Sequence, residues 1–156
     1  MSPAEIEIRG AHLDEAELLT ELALRSKAHW GYSAEFLAAC RDELAVRPSA
    51  ITADVVRVAA RGEEVLGFYE LSGVVPHGEL AALFVERDQI GTGVGGRLLD
   101  HALDAASRRG FGSLVVDADP GAEAFYLRHG ARRIGDSLSG SIPGRLLPRL
   151  LFEIGR

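Results

Sequence analysis

Between Gln89 and Gly96 the chain reads QIGTGVGG, with four glycines in eight residues. Such a run suits one kind of chemistry. Without Cβ atoms the main chain turns tightly and directs its N–H groups at an anion, above all a phosphate. Read literally, Gly91, Gly93 and Gly96 satisfy G-x-G-x-x-G, the fingerprint of dinucleotide-binding sheets, and Asp117 follows the last glycine by 21 residues, about where a ribose ligand belongs. A P-loop is excluded, because no Gly-Lys-Ser/Thr is present. Other reactive side chains are sparse. Cys40 is the single cysteine, so neither an intrachain disulfide nor a Cys-ligated metal site is expected. It shares the apolar side of its segment with Phe36, Leu37 and Leu44, which makes it a small buried hydrophobe.

The flanks of the glycines decide which phosphate is meant. In the dinucleotide fold the first glycine follows its strand almost directly, whereas Glu86 to Ile90 separate Val85 from Gly91. That fold also needs further strand–helix units, and only 46 residues follow Gly110. A different reading uses every glycine. A strand ends, the chain turns, and successive N–H groups form a positive cradle at the start of a long helix, which holds a pyrophosphate without a Lys or Arg side chain.

The elements around this loop read clearly. EIEIRGA alternates as a short strand. Asp14 with Glu17 looks like a capping box opening a helix that carries Leu18, Leu19, Leu22 and Ala23, has Arg25 and Lys27 in its last turn, and stops at Gly31. Ser33 caps a second helix, SAEFLAACRDELAV, which Pro48 closes. DVVRVAARGEEVLGFYELSGV forms two strands around Arg61-Gly62-Glu63, an antiparallel hairpin, and GELAALFVE follows as a third. After the glycines, Val94, Leu98, Leu99, Ala102 and Ala106 line one face of a helix ended by Gly110. SLVVDAD reads as a strand covered on both faces. Pro120 starts a helix, PGAEAFYLRHG, ended by Gly130. ARRIGDSL and LLFEI are two further strands joined by SGSIPGR.

These segments predict one domain over residues 1–156, of the α+β class, with about four helices flanking a mixed, mostly antiparallel sheet. The bulk figures agree. Hydrophobic residues make up 47% and charged residues 26%, ordinary for a globular domain. A net charge of −6 argues against a nucleic-acid surface. No apolar run approaches the ~20 residues that span a bilayer. The opening MSPAEIEIRG lacks the basic start and hydrophobic middle of a secretion signal, so a cytoplasmic protein with no membrane partner is expected.

ELAALFVERDQIGTGVGGRLLDHALDAASRRGF, then a strand, then AFYLRHGA, resembles the core of the GNAT N-acetyltransferase superfamily, and the element order is similar over nearly the whole chain. The resemblance implies that the glycine loop (Ile90, Gly91, Thr92, Gly93, Val94, Gly95 and Gly96) binds the pyrophosphate of acetyl-coenzyme A. It implies that Leu83, Phe84 and Val85 hold the pantetheine arm and polarise the thioester carbonyl, with Phe125 as a further coenzyme contact. Two departures stand out. Aligning the family motif Gln/Arg-x-x-Gly-x-Gly/Ala on Gly93 and Gly95 puts Ile90 at the Gln/Arg position, and Gly121 stands near where many relatives carry a coenzyme-binding asparagine.

The same resemblance assigns catalytic roles. Tyr126 matches the tyrosine that protonates the departing thiolate. An ordinary phenol has a pKa of about 10, against about 8.5 for a thiol. The other reading is a core aromatic beside Phe125. Glu79 matches a catalytic glutamate that takes the amine's proton, directly or through water. Strand alternation equally allows it to face solvent, and His77 and Glu70 are weaker candidates. His101 and His129 read as solvated or structural. Trp30 and Tyr32 mark the helix corner that lines the acceptor pocket in the family, with Glu70 beside them as a substrate contact, and helix-corner packing explains the two aromatics as well. Arg145 reads as an anion contact or an ordinary surface arginine.

The resulting expectation is an N-acetyltransferase that moves acetyl from acetyl-CoA to a small-molecule amine or a peptide, in a ternary complex, without metal, as a monomer or homodimer. The alternative is a non-catalytic acyl-CoA sensor or partner module on the same fold.

Overall fold

The computed structural model describes residues 5–140 and 142–154. Met1 to Ala4 of the opening segment, and Ser141 of the SGSIPGR loop, lie outside them. Hydrogen bonding links seven strands in the order β1-β2-β3-β4-β5-β7-β6. They are β1 (Ile6–Gly10), β2 (Val56–Arg61), β3 (Glu64–Val74), β4 (His77–Val85), β5 (Ser113–Asp117), β6 (Arg132–Leu138) and β7 (Leu146–Glu153). The helices are α1 (Ala16–Ala28), α2 (Ala34–Leu44), α3 (Pro48–Thr52), α4 (Val94–Arg108) and α5 (Glu123–Arg128). No helix among the described residues is long and apolar enough to cross a membrane.

The chain groups into two compact units, one made of the chain up to Glu70 with Ala82–His101, the other of Leu71–Ala81 with the chain from Ala102 onward. In the first unit β1 and β3 each pair antiparallel with β2, with a bulge at Ala59/Ala60. Leu19, Leu22 and Ala23 recur at helical spacing on α1. They are buried with Val56, Val58 and Phe68, whose alternation on β2 and β3 turns them to one face. In the second unit β4 and β5 are parallel, β7 pairs antiparallel with both β5 and β6, and β7 therefore lies between them. The α+β class and the mixed, mostly antiparallel sheet are as expected.

Local expectations needed revision. Pro48 does not close α2. That helix ends at Leu44, and Pro48 opens α3 from its first position, where the missing N–H and fixed φ cost nothing. Among the described residues the α-helices number five, consistent with the expected about four. The capping box lies earlier than Asp14 and Glu17: Glu15 Oε1 accepts the His12 N–H at 2.7 Å, and a one-turn helix, Leu13–Glu15, precedes α1. In β5 only Leu114 and Val116 are fully buried, so it alternates instead of being covered evenly. β7 starts at Leu146, ahead of LLFEI. Ser33 does cap α2, accepting the Phe36 N–H at 3.1 Å, and Cys40 is buried.

Candidate coenzyme and acyl-transfer site

Strand β4 carries the first part of the site. Its parallel ladder with β5 covers only His77↔Ser113, Gly78↔Leu114 and Glu79↔Val115, although β4 runs on to Val85 and β5 to Asp117. Past Glu79 the two strands no longer pair, and an extended backbone there suits an amide-rich arm lying alongside it. Leu83 and Phe84 are half-buried and Val85 is buried. Their position depends on a residue that gave no signal in the sequence. A Cβ on Gly67 of β3 would stand 2.7 Å from the Phe84 carbonyl oxygen, 3.0 Å from Leu98 Cδ1 and 3.2 Å from Val85 Cα. Only a glycine lets β3, the end of β4 and α4 approach this closely.

Beyond Val85 the chain is pinned before it reaches the glycines. The Glu86 N–H donates to Leu66 O at 2.7 Å. Its carboxylate accepts two bonds from Arg25 of α1, from Nε at 2.7 Å and from Nη2 at 2.8 Å. This guanidinium contact holds Glu86 below the usual carboxylate range, against the opposing effect of partial burial. A one-turn helix, Arg87–Gln89, follows, and Ile90 is extended (φ −63°, ψ 131°).

Gly91 and Gly93 adopt φ of +86° and +96°, conformations that side-chain-bearing residues rarely take. A Cβ at either would meet nothing within 4 Å, so the open face of the turn lies at these two glycines. The Thr92 N–H is used within the loop, donating to Gln89 O at 3.2 Å. Helical bonding starts with Arg97 N–H to Gly93 O at 3.2 Å, so Val94, Gly95 and Gly96 are the residues whose N–H groups lack an acceptor inside α4. Val94 is buried beneath the helix start, and Gly95 and Gly96 are half-buried. A positive turn with open glycines, leading into a 15-residue helix, fits a diphosphate. It fits it without the family's Gln/Arg side chain, whose position Ile90 occupies.

The proposed catalytic side chains fall in the second unit. Tyr126 on α5 is 5% exposed and packs edge-on against Phe125 and Phe152. Burial alone pushes its hydroxyl above the ordinary phenol value. Phe125 is half-buried. Glu79 lies on the exposed side of β4, between buried Gly78 and Leu80, and accepts the Ser72 hydroxyl at 3.1 Å. His77, on the same exposed side, has Nδ1 3.4 Å from Ser113 Oγ. Gly121 gives its N–H to Asp119 Oδ1 at 2.9 Å, which shapes the start of this helical segment without an asparagine. Arg145 lies 3.7 Å from Asp119, both side chains largely buried, so it serves an internal ion pair.

The proposed acceptor residues are in the first unit. Tyr32 stacks on Phe36 with centroids 4.2 Å apart, and Lys27 Nζ stands 5.4 Å and 5.9 Å from the two rings. Lys27, expected in the last turn of α1, is thus buried at the helix corner. Trp30 is 43% exposed and meets only His29 edge-on among the ring contacts described. Glu70 is half-buried on β3, opposite Val56. His101 is structural, with Nδ1 2.7 Å from the Tyr69 hydroxyl.

Comparison with known proteins gives the family and the fold. The profile of the "Acetyltransferase (GNAT) family" matches residues 18–131. No curated protein matches the chain in sequence. Among solved structures, the PaiA N-acetyltransferase of Thermoplasma acidophilum in complex with coenzyme A superposes with a TM-score of 0.80 at 20% identity, over 96% of this chain and 99% of that one. N-acetylglutamate synthase of Neisseria gonorrhoeae, complexed with coenzyme A and N-acetyl-glutamate, gives 0.70 at 20% identity, over 99% of this chain and 36% of that one. Apo YjaB of Escherichia coli gives 0.69 at 29% identity, over 96% and 97%. With the profile spanning most of the chain, from α1 through the glycine loop to the end of α5, the protein belongs to the GNAT acetyltransferase family.

Proposed function

We propose that the protein is an acetyl-CoA-dependent N-acetyltransferase, acting by direct attack of a primary amine in a ternary complex. The amine belongs to a small molecule or a peptide. The observation that carries this reading is the glycine turn itself: Gly91 and Gly93 hold open, positive-φ conformations just before three helix-start amides.

Acetyl-CoA supplies an activated thioester, and the residues supply position and protons. Amides of Val94, Gly95 and Gly96 hold the diphosphate. A main-chain N–H at Phe84 or Val85 stabilises charge on the thioester oxygen as the C–N bond forms and the C–S bond breaks. The amine must arrive neutral, and its proton passes to Glu79. Along an extended strand five residues span about 16 Å, so the proton of an amine attacking at Phe84 reaches Glu79 only through a chain of waters. Tyr126 gives its proton to the departing sulfur. A buried phenol is a weaker acid than a free one, but a thiolate in equally dry surroundings is a stronger base, so the transfer remains matched.

The test is thiol release from acetyl-CoA across a library of amines. Release dependent on one amine class supports transfer. Tight coenzyme binding with no amine-dependent release, unchanged by Tyr126→Phe and Glu79→Gln, supports the acyl-CoA-binding module instead.

A further inference from the structure

Glu86 ties together the end of β4, the start of the glycine loop and helix α1. Its N–H donates to Leu66 O on β3 at 2.7 Å, its carbonyl accepts the Gln89 N–H at 2.8 Å, and its carboxylate holds Arg25 through two bonds. The same carboxylate accepts the Arg87 N–H at 3.3 Å, starting the one-turn helix that leads to the glycines. A residue that merely ended a strand would need none of the side-chain bonds. The contact partner matters too. Arg25 precedes Lys27 by two residues, on the helix whose end forms the Lys27–Tyr32–Phe36 corner.

We propose that Glu86 is a positioning residue for the coenzyme loop, and that Arg25 transmits to it the placement of α1. The Glu86 carboxylate is committed to Arg25 and the Arg87 N–H. It fixes where the turn through Gly91 and Gly93 begins, and hence where the Val94–Gly96 amides point. This rests on the reading of those amides as the diphosphate site, and the test separates the two.

Two measurements suffice, on wild type, Glu86→Gln, Arg25→Gln and the double variant. Arg41→Gln, which breaks the Arg41–Glu21 ion pair between α1 and α2, serves as the control. First, hydrogen–deuterium exchange of the unliganded proteins reads loop order with no coenzyme present. Amides of Arg87 to Gly93 should exchange about fivefold faster than wild type in both single variants, by the same factor and no more in the double, and unchanged in Arg41→Gln, as expected for one partly exposed ion pair whose members act together. Second, titration with coenzyme A should show affinity about fivefold weaker in the same variants, with kcat for acetyl-CoA within twofold of wild type, since positioning alters binding before chemistry. Unchanged loop exchange in Glu86→Gln overturns the inference. So does a slowdown of kcat with unchanged KM. Faster loop exchange with no coenzyme affinity in wild type leaves Glu86 as the loop's anchor and instead refutes the diphosphate reading.

Discussion

Gly67 faces the carbonyl of Phe84 so closely that a methyl group on its Cα would stand 2.7 Å from that oxygen. Backbone meets backbone there, so no side-chain rotation relieves the contact. Gly67→Ala should cost about 1–3 kcal/mol of stability, the usual range for an overpacked core position. It should also displace the strand end proposed to polarise the thioester, so kcat falls by more than the loss of folded protein explains. Urea unfolding with thiol-release kinetics on the folded fraction measures both, and a variant with wild-type kcat removes Phe84 from the site.

Tyr126→Phe keeps the packing against Phe125 and Phe152 and deletes only the hydroxyl. If that group protonates the thiolate, kcat should fall about 10²-fold, the lower end for loss of a general acid, while KM for acetyl-CoA changes little. The pH behaviour has a definite sign. Burial raises the phenol's folded pKa above its unfolded value of about 10, so its contribution to stability is whole below pH ~10 and is lost as pH rises toward the folded value. Tyr126 therefore stays protonated through the assay range. Any alkaline fall in rate below pH 9 must come from another group, and one that vanishes in Tyr126→Phe contradicts this.

Acid should act through two anchored carboxylates. Arg25 lowers Glu86, and Arg9 lowers Glu15, whose two oxygens accept its guanidinium at 3.0 Å each. Both are depressed in the folded state, so their stabilisation is present above the unfolded value of about 4.5 and is lost as pH falls through the folded values. Melting temperature followed from pH 7 to 3 should drop below about pH 4.5, with a shallower drop in Glu86→Gln.

Gly93→Ala places a Cβ in open space, so any effect must come from its φ of +96°. A cost of about 1 kcal/mol in stability is expected, together with weaker coenzyme binding as the turn relaxes toward negative φ. Calorimetric denaturation and a coenzyme titration on the same variant read both effects, and unchanged affinity would show that the turn's geometry is irrelevant to the ligand.

The parts of this site that were legible in the sequence are local ones. Glycines ahead of an amphipathic helix state their conformation directly, and so do Ser33 before α2 and Gly110 after α4. What escaped the sequence depends on partners far away in the chain. Gly67 inside GFYEL looks like a weak point in a strand until Phe84 and Leu98 are brought against it. Arg25 and Glu86 are 61 positions apart, and each alone is an ordinary surface charge. Lys27 reads as a last-turn charge of α1, yet its long aliphatic stem lets it lie buried with its ammonium near Tyr32 and Phe36. Pro48 was ambiguous in itself, since proline both follows one helix and starts another, and only the extended residues Ala45 and Arg47 decide between the two.

Isothermal titration of the purified wild-type protein with coenzyme A addresses the central claim most directly. Saturable binding at one site per chain, weakened by Gly93→Ala and not reproduced by NAD, is the result predicted for amides of the glycine turn holding a diphosphate. Absence of binding by coenzyme A and acetyl-CoA alike, or binding that ignores changes in the turn, contradicts it.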